Sequence, residues 1–209
     1  MSKGTNGDVY IGDTAHPSVI PMLFSCCELD LAFVIDKKHL NGGKFLWLVG
    51  VTEKIGKSLR DKYEHVLVIH ASALPKGRGW SPWIHELREG ADEICISVIE
   101  AAEKIDAGDV WIQSYMTVPK TMLYDDIINA MYAFAHDMMS YCIAHADDIM
   151  PTPQQGEPTH YKRLTDEDSR IPMDEATFDR LRTCDPLRYP PFFEIRGKRY
   201  EVFVREACE

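Results

Sequence analysis

Residues 45–70 read FLWLVGVTEKIGKSLRDKYEHVLVIH. Two apolar runs, Phe45–Val49 and His65–His70, flank a charged stretch of helix formers, Glu53–Lys62. Unbroken apolar runs of this length suit strands buried on both faces, which a parallel sheet requires. Strand, amphipathic segment and strand in succession predict a parallel α/β sheet. Upstream, Val9–Ile11 and Leu31–Ile35 add two strand candidates, and Asn41–Gly42–Gly43 reads as a turn. Downstream, Glu93–Ala101 and Asp109–Thr117 are strand candidates separated by a short charged loop, so an antiparallel pair is predicted there. Trp83–Glu89 reads as a short helix. Met122–Asp148 reads as a long one, whose Ile127, Ile128, Met131, Phe134 and Met138 form a core-facing stripe. Met150–Pro158, MPTPQQGEP, reads as a connector. The expected organisation is therefore an α/β domain over 1–150 and a small α+β region over 151–209. The latter holds a short strand at Tyr161–Leu164, a helix near Asp174–Thr183 and a hairpin of Phe192–Ile195 with Tyr200–Val204.

The 209 residues carry 23 basic and 33 acidic side chains, a net charge of −10. That balance argues against a protein that tracks nucleic-acid phosphates, which needs a basic face. No apolar run reaches the roughly 20 residues of a membrane span, and Met1–Gly7 lacks the apolar core of a secretion signal. A cytoplasmic location is expected. The six cysteines include no C-x-x-C pair, and they read as free thiols, mostly buried. The eight histidines show no metal-ligand spacing, so no metal is expected.

The stretch that carries chemistry is Val66–Pro82, VLVIHASALPKGRGWSP. An apolar strand delivers His70 at its C-terminal end, the edge where open α/β sheets bind ligands. A loop broken by Pro75, Gly77 and Gly79 follows, with Lys76 and Arg78 as candidate contacts to an anionic group. Ser72 offers a hydroxyl near the same point, and Trp80 a candidate pocket wall. The second feature is Lys104–Gly108, KIDAG, which puts Asp106 on a tight loop between strands. A carboxylate facing a histidine across a cleft would hold and charge the imidazole.

Taken together, H-x-S-x-L-P-x-x-R-G and the later x-D-x-G-D resemble the formyltransferases that use 10-formyltetrahydrofolate. That family has N-x-H-x-S-L-L-P followed by L-D-x-G. The resemblance implies a Rossmann-like formyltransferase domain with a mixed, mostly parallel sheet. It also implies His70 as general base, Asp106 as its aspartate partner and Ser72 near the reacting formyl group. The segment Val49, Gly50, Val51, Glu53 and Ile55, with Asp106, is implied as the folate-site wall. The tail, HYKRLTDEDSR from His160 and LRTCDPLRYPPFFEIRGKRY from Leu181, is similar to that of bacterial sugar-nucleotide N-formyltransferases. A nucleotide-linked amino sugar is thereby implied as acceptor, contacted by Lys76, Arg78, Trp80, Tyr189 and Phe192. The expected partners are that small molecule and a second copy in a homodimer, with no nucleic acid and no membrane.

Two departures stand out. The family asparagine two residues before the histidine is Val68, and Asp8–Asp30 contains no glycine-rich phosphate loop. Three rivals follow: a non-catalytic folate or nucleotide binder, a methionyl-tRNA formyltransferase, and an enzyme acting on a carrier-bound amino acid. The second wants a basic appendage, whereas 151–209 carries ten basic and twelve acidic residues.

Overall fold

A computed structural model describes residues 6–169, 171, 173–185, 188 and 190–205. Two compact units divide the chain, Met1–Arg163 and Leu164–Glu209. The division thus falls after Arg163, and the 150–158 segment read as a connector belongs to the first unit.

That unit is built on a six-stranded sheet in the order β2-β1-β3-β4-β6-β7. Its strands are β1 (Gly7–Ile11), β2 (Leu31–Val34), β3 (Gly43–Val49), β4 (Tyr63–His70), β6 (Glu93–Glu100) and β7 (Val110–Thr117). The two-residue strands β5 (Arg78–Gly79) and β8 (His160–Tyr161) pair in parallel nearby. β2, β1, β3 and β4 are mutually parallel, while β4–β6 and β6–β7 are antiparallel. The α/β reading holds, and so does the antiparallel pair across the Asp106 loop.

The central run behaves as its composition dictates. Phe45, Leu46 and Trp47 are fully buried, because β3 has neighbours on both sides and apolar layers on both faces. One layer gathers Trp47, Val49, Leu67, Ile94, Ile96 and Val98 against α4 (Tyr124–Ala144); the other gathers Tyr10, Leu46, Leu48, Ile55 and Tyr63. The helix α1 (Val19–Cys26) supplies Val19, Met22 and Cys26 to the first layer. The stripe of α4 follows the 3.6-residue period through Ile127, Ile128, Met131, Ala135, Met138, Met139 and Cys142. Asp125 and Asp126 in its first turn complement the helix dipole.

The expected helix over Glu53–Lys62 shrinks to α2 (Lys57–Arg60). Tertiary contacts claim its first half: Ile55 is buried in the second layer, and Glu53 accepts from Tyr10 and Lys37. Gly56 is extended, at ψ 154°, and helix starts only after it. The second unit contains α5 (Glu175–Thr183), capped by Asp174, and a hairpin of β9 (Phe192–Ile195) with β10 (Lys198–Glu201). Among the described residues five cysteines are free. Burial pushes the thiols of Cys26 and Cys95 up to about 11 and that of Cys142 to about 12, so they are inert packing groups. No helix among the described residues is long and apolar enough to cross a membrane.

Candidate active site

His70 is the last residue of β4, the strand at which the sheet changes from parallel to antiparallel, and it pairs with Ser97 of β6. Alternation along a strand puts Val68 and His70 on the same face. His70 Nε2 lies 2.9 Å from Gly77 O. A carbonyl only accepts, so Nε2 carries a proton and Nδ1 is the nitrogen left to act. Nδ1 faces Asp106 Oδ1 at 3.6 Å, and the two side chains are only 9% and 11% exposed.

The loop after β4 holds this geometry from below. Ser72 is fully buried, and its Oγ donates to Lys76 O at 2.8 Å and Gly77 O at 3.0 Å. The hydroxyl is spent on the loop that cradles the imidazole. Gly77 sits at φ 73°, and a Cβ there would lie 2.7 Å from Ser72 Cβ, so only glycine lets the loop close against the serine. Asp106 is itself left-handed, at φ 54°, and its Oδ2 accepts from Gly79 N at 3.0 Å. Backbone and imidazole thus grip opposite oxygens of one carboxylate.

The segment after α4 closes the wall. Val110 and Thr152 exchange both backbone hydrogen bonds, Gly77 N donates to Thr159 Oγ1 at 2.8 Å, and Arg78 N donates to Thr159 O at 2.9 Å. Gln154 donates to Asp106 O and to Gly108 O and accepts from Arg78.

A cavity of about 220 Å³ opens beside His70. Its walls are Val49 at the end of β3 and Gly50 after it, Ile69 and Ala71, Trp83 of α3 (Pro82–Arg88), and Tyr124, Ile128, Met131 and Tyr132 of α4. Thr14 and His16, from the turn after β1, complete it, and the lining holds no Asp, Glu, Lys or Arg. Gly50, at φ 61°, allows the 12–15 turn to approach: a Cβ would lie 2.6 Å from Ala15 N. His16 Nδ1 accepts from Ser18 N at 3.2 Å, so its proton belongs on Nε2 when the ring is neutral. Tyr132 Oη accepts from His16 N at 3.0 Å, and burial pushes its phenol up.

The sequence-predicted residues separate into groups. His70, Asp106 and Ser72 converge. Val49 and Gly50 line the cavity, whereas Val51 and Ile55 pack in the second apolar layer. Glu53 faces Tyr10 and Lys37 instead; Lys37 beside it holds its carboxyl below the usual range, and its bond to Tyr10 pushes that phenol up to about 12. Lys76 is exposed and contributes its carbonyl to Ser72. Arg78 is only 7% exposed, with its guanidinium turned to Gln154. Trp80 is half-buried beneath Arg163, whose guanidinium lies 4.7 Å from the ring centroid. In the second unit Phe192 is half-exposed with Arg199 3.7 Å from its centroid, and Phe193 stacks on Tyr200 at 5.4 Å. Tyr189 lies outside the described residues.

The reading of the sequence missed Thr14, His16, Trp83, Tyr124, Tyr132 and Gln154. A signal for two of these was present in α4: Tyr124, Ile128, Met131, Tyr132 and Ala135 share one face, and two phenols among apolar residues are not what a plain core stripe needs.

A model of the formyl transferase family matches residues 39–143. Among curated proteins, the methionyl-tRNA formyltransferase of Rickettsia bellii is 26% identical over 148 residues, 68% of this chain and 48% of the relative. That of Francisella philomiragia is 24% identical over 147 residues, 68% of this chain and 46% of the relative. The chain spans about half the length of the curated relatives it matches. Among solved structures, a methionyl-tRNA formyltransferase from Clostridium thermocellum superposes with a TM-score of 0.66 at 22% identity, covering 97% of this chain and 94% of that one. HypX from Aquifex aeolicus in complex with tetrahydrofolic acid gives 0.58 at 16% identity, over 97% and 38%. WlaRD, a sugar 3N-formyl transferase solved in the presence of dTDP and 5-N-formyl-THF, gives 0.56 at 11% identity, over 77% and 71%. These structural likenesses show a shared α/β formyltransferase fold. The matched span runs from the turn before β3 into the end of α4 and contains both His70 and Asp106, and on that match the chain belongs to the formyl transferase family.

Proposed function

We propose that this chain moves a formyl group from 10-formyltetrahydrofolate to a primary amine seated in the cavity beside His70. The observation that carries the reading is the His70–Asp106 pair, two residues 36 positions apart that face each other at 3.6 Å, with His70 lining that cavity. The amine attacks as its neutral form: its nitrogen bonds to the formyl carbon, and the carbon–N10 bond of the donor breaks. One amine proton passes to His70 Nδ1, where Asp106 stabilises the imidazolium, and then to the departing N10. The products are a formamide and tetrahydrofolate. Holding donor and acceptor side by side supplies the proximity term. With Val68 in place of an amide and the Ser72 hydroxyl committed to two carbonyls, protonated His70 or a backbone N–H remains to steady the oxyanion. The folate is assigned to the face of β4 that carries Val68, where Val51 and Ala101 are half-buried apolar residues packed against the same core layer.

The acceptor proposed is a nucleotide-linked amino sugar. Trp83 and Tyr124, ring centroids 5.5 Å apart, offer aromatic surface for a sugar ring, and the shared fold of WlaRD supports the choice. With no cation in the lining, the nucleotide phosphates must lie outside the cavity. A second reading, an aminoacyl-tRNA acceptor, is favoured by the curated relatives and by the apolar walls, which suit an uncharged amino-acid side chain. The test is a turnover assay with 10-formyltetrahydrofolate against nucleotide-linked amino sugars, methionyl-tRNA and carrier-bound amino acids. Formylation of an amino sugar supports the first reading, and of methionyl-tRNA the second. Folate binding with no acceptor formylated would leave a non-catalytic binder.

A further inference from the structure

We infer that Gln154 is a positioning residue for Asp106, oriented by the buried Arg78; the inference rests on the formyl-transfer reading above. Asp106 stands in a left-handed conformation on a loop between two strands, where nothing in regular secondary structure fixes it. Its carboxylate must nevertheless keep one oxygen on His70 and the other on Gly79 N. Arg60 Nη1 donates to Ala101 O at the start of the loop, 2.8 Å, and a second side chain holds the turn around Asp106 itself. Gln154 Nε2 donates to Asp106 O at 3.0 Å and to Gly108 O at 2.9 Å, spanning the turn on both sides of Ala107. Those two carbonyls consume both amide protons.

The amide can do this in only one of its two orientations, and Arg78 selects it. Arg78 Nη2 donates to Gln154 Oε1 at 2.5 Å, so the guanidinium faces the amide oxygen and the two carbonyls face the nitrogen. Flipping the amide would set its NH₂ against a guanidinium and its oxygen against two carbonyls, leaving three buried groups unpaired. Arg78 pays for burial without an ion pair: it is 7% exposed, and among the described residues no carboxylate lies within ion-pair reach. A buried cation with a single side-chain partner is costly unless its field is used. Here it points along the amide dipole toward the Asp106 turn. Arg78 is thus assigned to the orientation of the aspartate rather than to a substrate phosphate.

The test replaces Gln154 by Met, which keeps length and removes every hydrogen bond, with exposed Gln155→Ala as a control that changes nothing. Gln154→Met is expected to lower kcat by about 10- to 100-fold while both KM values stay within about threefold, the pattern of a misplaced reacting group. In the Asp106→Asn background the same change is expected to cost less than about twofold, because residues acting as a unit are not additive. Equal losses in both backgrounds, or a loss confined to KM, would overturn the assignment. Amide exchange over residues 101–109 reads the clamp without substrate. It should quicken by about tenfold in Gln154→Met with β3 unaffected, and an unaltered loop would overturn the clamp even if formyl transfer stands. A loosened loop in a chain whose wild type formylates no amine would instead overturn the functional reading.

Discussion

Residues 71–82 and 150–158 look alike in composition: each is broken by prolines and glycine, and neither can form a long regular element. The first carries a serine, a lysine and an arginine behind a strand-end histidine, and its chemistry is legible. The second carries two glutamines and a threonine, and reads as a connector. In the folded chain they are two sides of one wall. The first supplies the carbonyl and amide that grip His70 and Asp106; the second supplies Gln154, which grips the Asp106 turn, while Thr159 just beyond it grips the first. A charged loop announces itself in sequence, whereas a neutral amide acting on backbone carbonyls does not.

The comparison breaks most visibly at its centre. His70→Asn should lower turnover by about 10²–10⁴-fold, the usual cost of a lost general base, with folate affinity within a few-fold by titration. A variant keeping a third of the normal rate would remove His70 from the chemistry. Asp106→Asn comes next, at about 10²-fold in kcat, since the amide cannot stabilise an imidazolium. An unchanged rate would make Asp106 a turn residue only.

Smaller effects sharpen the difference between the two segments. Ser72→Ala should cost about 1–3 kcal/mol in urea unfolding, because losing the buried hydroxyl takes its donor from Lys76 O and leaves Gly77 O to His70 alone. Its loss of kcat should be far smaller than that of His70→Asn; an equal loss at full stability would return the hydroxyl to the reaction. Thr159→Val, just beyond the second segment, should cost about 1 kcal/mol through the lost bond to Gly77 N, again read by urea unfolding. If it cost nothing, the two segments would not share a wall.

The smallest effect concerns Glu86, whose Oε1 backs the first loop 3.1 Å from where a Gly77 Cβ would stand. Burial, and then Glu89, raises its carboxyl above 4.5. A carboxyl raised on folding weakens the folded state as pH rises through its folded value, and the penalty is absent below the unfolded value. Glu86→Gln should therefore raise the Tm at neutral pH, with the gain vanishing on acidification below about 4.5. A gain that grows on acidification would reverse the sign.

The apolar runs at 45–49 and 65–70 were enough to place β3 and β4 and to make the sheet parallel there, since burial on both faces leaves no room for polar alternation. The short link between 101 and 109 was enough for the antiparallel pair. The separated histidine and aspartate motifs were legible because strand-end and turn positions restrict where such groups can point. What sequence could not decide depends on contacts between distant residues. Glu53 looked helical in its own window, but Tyr10 and Lys37 hold it in a loop. Arg78 read as a contact to an anionic substrate group, but the fold buries it against Gln154. Ile128 and Met131 read as core, yet with Tyr124 and Tyr132 they line a cavity whose far side is the turn after β1, held to Tyr132 by His16 N. Local pattern determines which elements form and which faces are apolar; which polar group meets which is set only when the chain closes, because hydrogen-bond partners 27 to 116 residues apart leave no period to read.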